Sequence, residues 1–213
     1  EELFTLASKV QVPRILDAGA ALASAVERTM SALRTNKEDV PAPVRLKLGG
    51  IQVLVYGRSD DLHDQKDGSL EIDLGGNDRY IGRHGAGIGY ASVCLDLGGD
   101  DTFALPDASG GTGLLGIGLL RVVGGQDVFR GGSLTFGAGM LGVGAVAREG
   151  GTDLYDSIAL AQGFGMFGIG LLVDTFGRDS YNVQLFGQGS SRTKGVGWLV
   201  DRAGNDVYKA GGL

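Results

Sequence analysis

The chain has 213 residues, 40 of them glycine and only 4 proline, with 43% hydrophobic residues and a formal net charge of −6. An acidic balance argues against nucleic acid as a partner, because that contact needs clustered lysine and arginine to displace counterions. Glycine without a strict Gly-X-Y period excludes collagen, and no apolar run reaches the length of about 18 residues that a membrane-spanning helix requires.

Residues 1–36 differ from everything after them. Glu1 in place of an initiator methionine, with no signal peptide in view, reads as a mature or excised piece of a longer chain. Glu1 to Val10 reads as a short helix. Pro13 suits the first turn of a second helix, along which Ile15, Ala18, Leu22, Val26, Met30 and Leu33 recur as one apolar stripe. The expected form is a helical hairpin that caps the open end of the domain behind it. Residues 37–68 form a second region. Its polar linker ends at Pro41 and Pro43, two strands over Val44 to Gly57 turn at Gly49-Gly50, and a charged loop from Ser59 to Gly68 carries Asp60, Asp61, His63, Asp64, Lys66 and Asp67. Solvation is the expected state of that loop.

Residues 69–213 repeat. The pattern Asp-x-x-Gly-x-Asp-x-aromatic occurs at Asp73 to Tyr80, Asp96 to Phe103, Asp174 to Tyr181 and Asp201 to Tyr208. Two further copies replace the first aspartate by Val122 and Arg148 but keep Gly125, Asp127 and Phe129, and Gly151, Asp153 and Tyr155. The second aspartates, at 78, 101, 127, 153, 179 and 206, are 23, 26, 26, 26 and 27 residues apart. Asp61-Leu62-His63 resembles a degenerate earlier copy. A fixed period in the twenties marks a stacked-repeat architecture. Before each later copy, glycines alternate with apolar residues, as in Gly116-Ile117-Gly118-Leu119, which is a strand signal. Glycine at this density would cost a helical repeat roughly 1 kcal/mol per residue. The expected fold is therefore all-β: a parallel β-solenoid, right-handed by the general preference of parallel crossovers, of six rungs of about 26 residues with an N-terminal helical cap. Tyr80, Phe103, Phe129, Tyr155, Tyr181 and Tyr208 should stack in one column. Cys94, the single cysteine, excludes an internal disulfide and should be a small buried residue on a strand.

Stacking also places like carboxylates about 4.8 Å apart, where they repel unless compensated. Two compensations are open. Each aspartate can accept turn N–H groups, or calcium can bridge successive turns through Asp73, Asp78, Asp96, Asp101, Asp174, Asp179, Asp201 and Asp206, with no site at Val122 or Arg148. The glycine pairs admit two placements as well. If Ile117, Val143, Ile169 and Val196 point inward, Gly116, Gly142, Gly168 and Gly195 form an outer face on which another protein chain, a sister copy or a glycan could dock. Otherwise the glycines face a narrow interior.

Gly75-Gly76-Asn77-Asp78-Arg79-Tyr80 and Gly98-Gly99-Asp100-Asp101-Thr102-Phe103 resemble the Gly-Gly-x-Gly-x-Asp nonapeptides of calcium-binding β-rolls in RTX secreted proteins. The 26-residue unit as a whole is similar to tandem Gly/Asp repeats of large bacterial proteins. The resemblance implies calcium ligation by Asp78 and Asp101 and an exported bacterial parent, at the cell surface, outside the cell or in the periplasm. With two histidines and no Gly-x-Ser-x-Gly, HExxH or phosphate-cradling lysine motif, the expected role is a non-enzymatic spacer or interaction surface. The alternative is a carbohydrate-active β-helix enzyme, a polysaccharide lyase or hydrolase working through outer-face carboxylates.

Overall fold

The computed structural model describes residues 8–41, 43–64 and 70–211. The chain winds into a parallel β-solenoid whose walls are three sheets. The first sheet stacks, in spatial order, β1 (Val44–Leu48), β2 (Ile51–Tyr56), β4 (Leu70–Asp73), β7 (Ala91–Asp96), β10 (Ile117–Val123), β13 (Val143–Glu149), β16 (Ile169–Asp174) and β19 (Val196–Asp201). The second holds β3 (Leu62–His63), β5 (Arg79–Tyr80), β8 (Thr102–Leu105), β11 (Val128–Gly131), β14 (Leu154–Ala159), β17 (Ser180–Leu185) and β20 (Val207–Ala210). The third holds the two-residue strands β6 (Gly87–Ile88), β9 (Gly113–Leu114), β12 (Gly139–Met140), β15 (Gly165–Met166) and β18 (Ser191–Arg192). Five turns carry all three strands, flanked by a two-strand turn at either end. All pairings but one are parallel, and like pairs with like, as in Ile117↔Val143↔Ile169↔Val196. The exception is the antiparallel hairpin β1–β2, whose turn residues Gly49 and Gly50 both have positive φ, 56° and 88°, as its two-residue turn requires.

The first sheet is apolar on both faces, and this decides between the two placements of its glycines in favour of the narrow interior. Leu120, Val122, Val146 and Leu172 point inward, packing against the aromatic column. Ile117, Leu119, Val93 and Leu95 point outward, against the helix α1 (Val12–Thr35). The glycines are consequently not an open docking face. A Cβ at Gly116, Gly142, Gly168 or Gly195 would fall on the carbonyl of Tyr90, Gly116, Gly142 or Gly165, and one at Gly118, Gly144 or Gly170 on that of Thr112, Ala138 or Phe164, the residues that lead into the third sheet. The interior is narrow there because no side chain separates the two walls.

The helix α1 lies along the flank of the stack and not across its open end. Ile15, Leu22, Val26, Met30 and Leu33 pack on the outward residues of β4, β7, β10 and β13. Gly19, rather than Ala18, completes the stripe: it is buried against Val143 while Ala18 is exposed. Spacings of 4, 3, 4, 4 and 3 from Ile15 through Gly19 to Leu33 keep one helical face better than the series through Ala18. Ion pairs fix the helix edge, Arg34 to Glu149 at 2.6 Å and Glu27 to Arg121 at 3.0 Å. Most of the first helix of the expected hairpin, residues 1–7, lies outside the described residues. Beyond α1 the apolar flank continues uncovered on β16 and β19, where Val196 and Trp198 are 51% and 61% exposed.

Candidate functional site

Inside the solenoid the signature residues form three columns. The aromatic column is continuous: Tyr80–Phe103, Phe103–Phe129, Phe129–Tyr155, Tyr155–Tyr181 and Tyr181–Tyr208 have ring centroids 4.2–4.9 Å apart and interplanar angles of 12° or less. His63 extends it upward, stacked on Tyr80 at 4.2 Å. Asp61-Leu62-His63 is therefore a true first copy, and His63, expected in a solvated loop, is fully buried. The signature glycine permits the turn to repeat. Gly99, Gly125 and Gly151 have φ of 141°, 74° and 106°, and a Cβ on each would fall on the carbonyl oxygen of the signature glycine one turn earlier.

The second aspartates form a ladder. Oδ1 of each accepts the backbone N–H of its counterpart one turn back: Asp61 N to Asp78, Asp78 N to Asp101, Asp101 N to Asp127, Asp127 N to Asp153, Asp153 N to Asp179 and Asp179 N to Asp206, at 2.6–3.0 Å. The turn N–H compensation foreseen from sequence thus engages one oxygen of each carboxyl. The other is left over: Oδ2 of Asp78, Asp101 and Asp179 meets no hydrogen-bond donor although the residues are 3% exposed or less.

The first aspartates use both oxygens, by hydrogen bonds at Asp96, Asp174 and Asp201 and, at Asp73 Oδ2, by an ion-pair distance alone. Oδ1 closes a local turn onto Gly75 N, Gly98 N, Thr175 N or Ala203 N. Oδ2 of Asp96, Asp174 and Asp201 accepts the hydroxyl of the ring one turn back, from Tyr80, Tyr155 and Tyr181, at 2.6, 2.7 and 2.9 Å. Asp73 Oδ2 instead lies 3.0 Å from Nε2 of His63, the aromatic of its own preceding turn. Where the first position is not aspartate, the ring one turn back has no hydroxyl: Phe103 precedes Val122 and Phe129 precedes Arg148. This pairing of Tyr with Asp and Phe with its absence is legible in the sequence alone, and it was missed there.

All eight aspartates expected to hold metal fall into these columns, six buried and Asp201 and Asp206 half-buried. Carboxylate oxygens come within 4.8 Å of one another in Asp78–Asp96–Asp101, in Asp153–Asp174–Asp179 and in Asp179–Asp201–Asp206, and with a His63 nitrogen in His63–Asp73–Asp78. Asp153 and His63 were not among the expected ligands. Burial raises Asp78 and Asp179 to about 7 and moves Asp96 and Asp101 clearly upward, the charge of Asp96 pushing Asp101 further up while a hydrogen bond shared with Asp101 lowers Asp96. Between Asp127 and Asp153 sits Arg148, 1% exposed, its Nε 3.0 and 2.9 Å from their Oδ2 atoms.

The first turns carry a separate polar cluster. Glu71 accepts from Nδ1 of both His63 and His84, at 2.9 and 2.6 Å. Gly82 N–H donates to Nε2 of His84 at 3.1 Å, so that ring carries its proton on Nδ1. Burial opposes charge on both partners, but the bonds to Asp73 and Glu71 outweigh it and raise His63 to about 10, while the two histidines lower Glu71 to about 2. Cys94 lies close enough to complete a metal triad with Glu71 and His84. Metal on Nδ1 of His84 would, however, put a proton on Nε2 facing the Gly82 N–H, so the cluster is a closed hydrogen-bond network. Among the described residues, a cavity of about 510 Å³ lined by Leu22, Gly49, Gly50, Ile51, Leu70, Tyr90, Ala91 and Val93 is apolar and touches none of these carboxylates. No family model matches the chain, and neither a curated protein nor a solved structure is significantly similar to it.

Proposed function

We propose that this is a non-enzymatic repeat module, a rigid rod whose interior carboxylate ladder is neutralised by calcium. The observation that carries the reading is the leftover oxygen of each turn: Oδ2 of Asp78, Asp101 and Asp179 is buried, unpaired and beside two further carboxylates. Leaving a buried charge uncompensated is costly. The three all-aspartate clusters offer hard oxygen donors only, which suits an alkaline-earth ion and not zinc or copper. The likeness to calcium-binding β-rolls supports the same ion. It also supports an exported bacterial parent, since extracellular modules bind calcium at K_d of roughly 10⁻⁴–10⁻³ M. The enzyme alternative called for carboxylates on an outer face, and the signature carboxylates line the interior. With the glycines enclosed, the surface for a protein or glycan partner moves to the uncovered flank of β16 and β19 around Trp198.

Thermal melting in millimolar calcium and in excess chelator tests the reading. At free calcium a hundredfold above K_d the folded state gains roughly 2.7 kcal/mol per site. Asp179→Asn keeps an amide oxygen for the Asp153 N–H, so in chelator it is expected to shift stability by less than about 1 kcal/mol. It should also reduce the calcium-induced gain, because it removes a charged ligand shared by two clusters. An unchanged melting temperature with and without calcium overturns the proposal.

A further inference from the structure

The first position of the signature reads Asp73, Asp96, Val122, Arg148, Asp174, Asp201 down the stack. Where Asp96, Asp174 or Asp201 occupies it, three carboxylates gather around an unpaired oxygen, and at Asp73 two carboxylates gather with His63. At Arg148 the side chain turns into the same interior space and supplies a cation instead. Its Nε lies 3.0 and 2.9 Å from Oδ2 of Asp127 and Asp153, the oxygens that are left over in other turns, an ion pair by distance without hydrogen-bond geometry to either. The rest of the guanidinium is used up: one terminal nitrogen donates to Glu149 O at 2.8 Å, the other to Gly125 O and Asp153 Oδ1, both at 3.0 Å. The ring one turn back is Phe129, in keeping, because a tyrosine hydroxyl there would point at a donor.

We infer that Arg148 is a built-in counter-ion at the level of the ladder where a divalent cation would otherwise be needed, and that it separates two cation-binding segments, Asp78–Asp96–Asp101 and Asp174–Asp179–Asp201–Asp206, Asp153 of the Asp153–Asp174–Asp179 cluster being taken up by Arg148. The division rests on the calcium reading above, whereas the role of Arg148 as a cation stand-in does not. An arginine that merely fills volume would not need its Nε between two carboxylates, and a turn that bound metal could not hold a guanidinium in the same place.

The experiment is a count of bound calcium at pH 8 together with melting in calcium and in chelator, for the whole chain and for Arg148→Met and Arg148→Lys. Arg148→Met leaves Asp127 and Asp153 without their cation, and its melting temperature in chelator is expected to fall by roughly 10 °C. Millimolar calcium should restore most of that loss, and the variant should bind one calcium more than the unaltered chain. Arg148→Lys keeps the charge and should leave the calcium count unchanged, which holds the test open if Arg148→Met fails to fold without calcium. Equal destabilisation of Arg148→Met in calcium and in chelator, with no added ion, overturns the inference. If the unaltered chain binds no calcium but Arg148→Met does, Arg148 is the stand-in and the reading of the other turns fails. If neither binds, both fail.

Discussion

The middle of the ladder and its two acidic segments share one backbone, one aromatic stack and one N–H-to-carboxyl relay, yet they solve the same electrostatic problem differently. In the middle, Phe103, Val122, Phe129 and Arg148 replace hydroxyls and carboxylates by apolar groups and one internal cation. In the segments, Tyr80–Asp96, Tyr155–Asp174 and Tyr181–Asp201 keep the hydroxyl–carboxylate pair, and Oδ2 of Asp78, Asp101 and Asp179 is left without a hydrogen-bond donor. The difference teaches that packing and charge are separable layers of this repeat. The ring column does not care which solution its turn uses, whereas the aspartate columns do.

Three measurements press on that separation. The largest effect is expected from truncating the stack: Phe129→Ala in the middle and Tyr155→Ala beside the C-terminal segment should each cost roughly 3–5 kcal/mol in chemical denaturation. A loss below about 1 kcal/mol for either would show that the column is not one continuous core. Swapping hydroxyls sharpens the contrast. Tyr155→Phe removes the hydroxyl that donates to Asp174 Oδ2, and Phe103→Tyr buries a hydroxyl in the apolar cluster with Val122, so each should cost about 1–3 kcal/mol. Adding Val122→Asp to Phe103→Tyr restores the pair and should recover part of the second loss. If the double change is no better than the single, the hydroxyl–carboxylate pairing is incidental.

The smallest and most diagnostic effect is in pH. Burial raises Asp78 and Asp179 to about 7 and, with Arg148 opposing, Asp127 to about 8 and Asp153 to about 6. An unfolded aspartate titrates near 3.9. Between these values the folded state binds more protons than the unfolded, so stability is fully present below about pH 4 and is lost as pH rises through 6 to 8. In chelator the urea midpoint should therefore be higher at pH 5 than at pH 8, the reverse of ordinary acid denaturation. On the proposed calcium reading the ion competes with those protons and should flatten the profile. A midpoint that rises with pH in chelator would mean that the ladder is charged and compensated without help.

The period, the solenoid, the aromatic stack and the stacking of the aspartates in two columns were legible because they recur, and recurrence at one spacing has few physical meanings. What recurs once was not. Arg148 read as a lost ligand and His63 as a loop residue, although each is a cation placed against the ladder. The orientation of the first sheet was also hidden. Its strands are apolar on both faces, so alternation cannot tell Leu120, which faces the rings, from Leu119, which faces α1. The docking of α1 on the flank followed from that second apolar face.

A chain made of near-identical turns faces a problem of counting. Turn four laid on turn six would pair glycine with glycine, ring with ring and N–H with carboxyl almost as well as turn four on turn five, so packing alone scarcely distinguishes the native stack from one with a turn looped out. Arg148 distinguishes it. Out of step by one turn, the guanidinium leaves one of its two carboxylates without a cation and brings its charge against a tyrosine hydroxyl or a bare aliphatic wall. A single buried polar residue fixes register in coiled coils, and the turn that departs most from the repeat is here the one that tells the remaining turns where they belong.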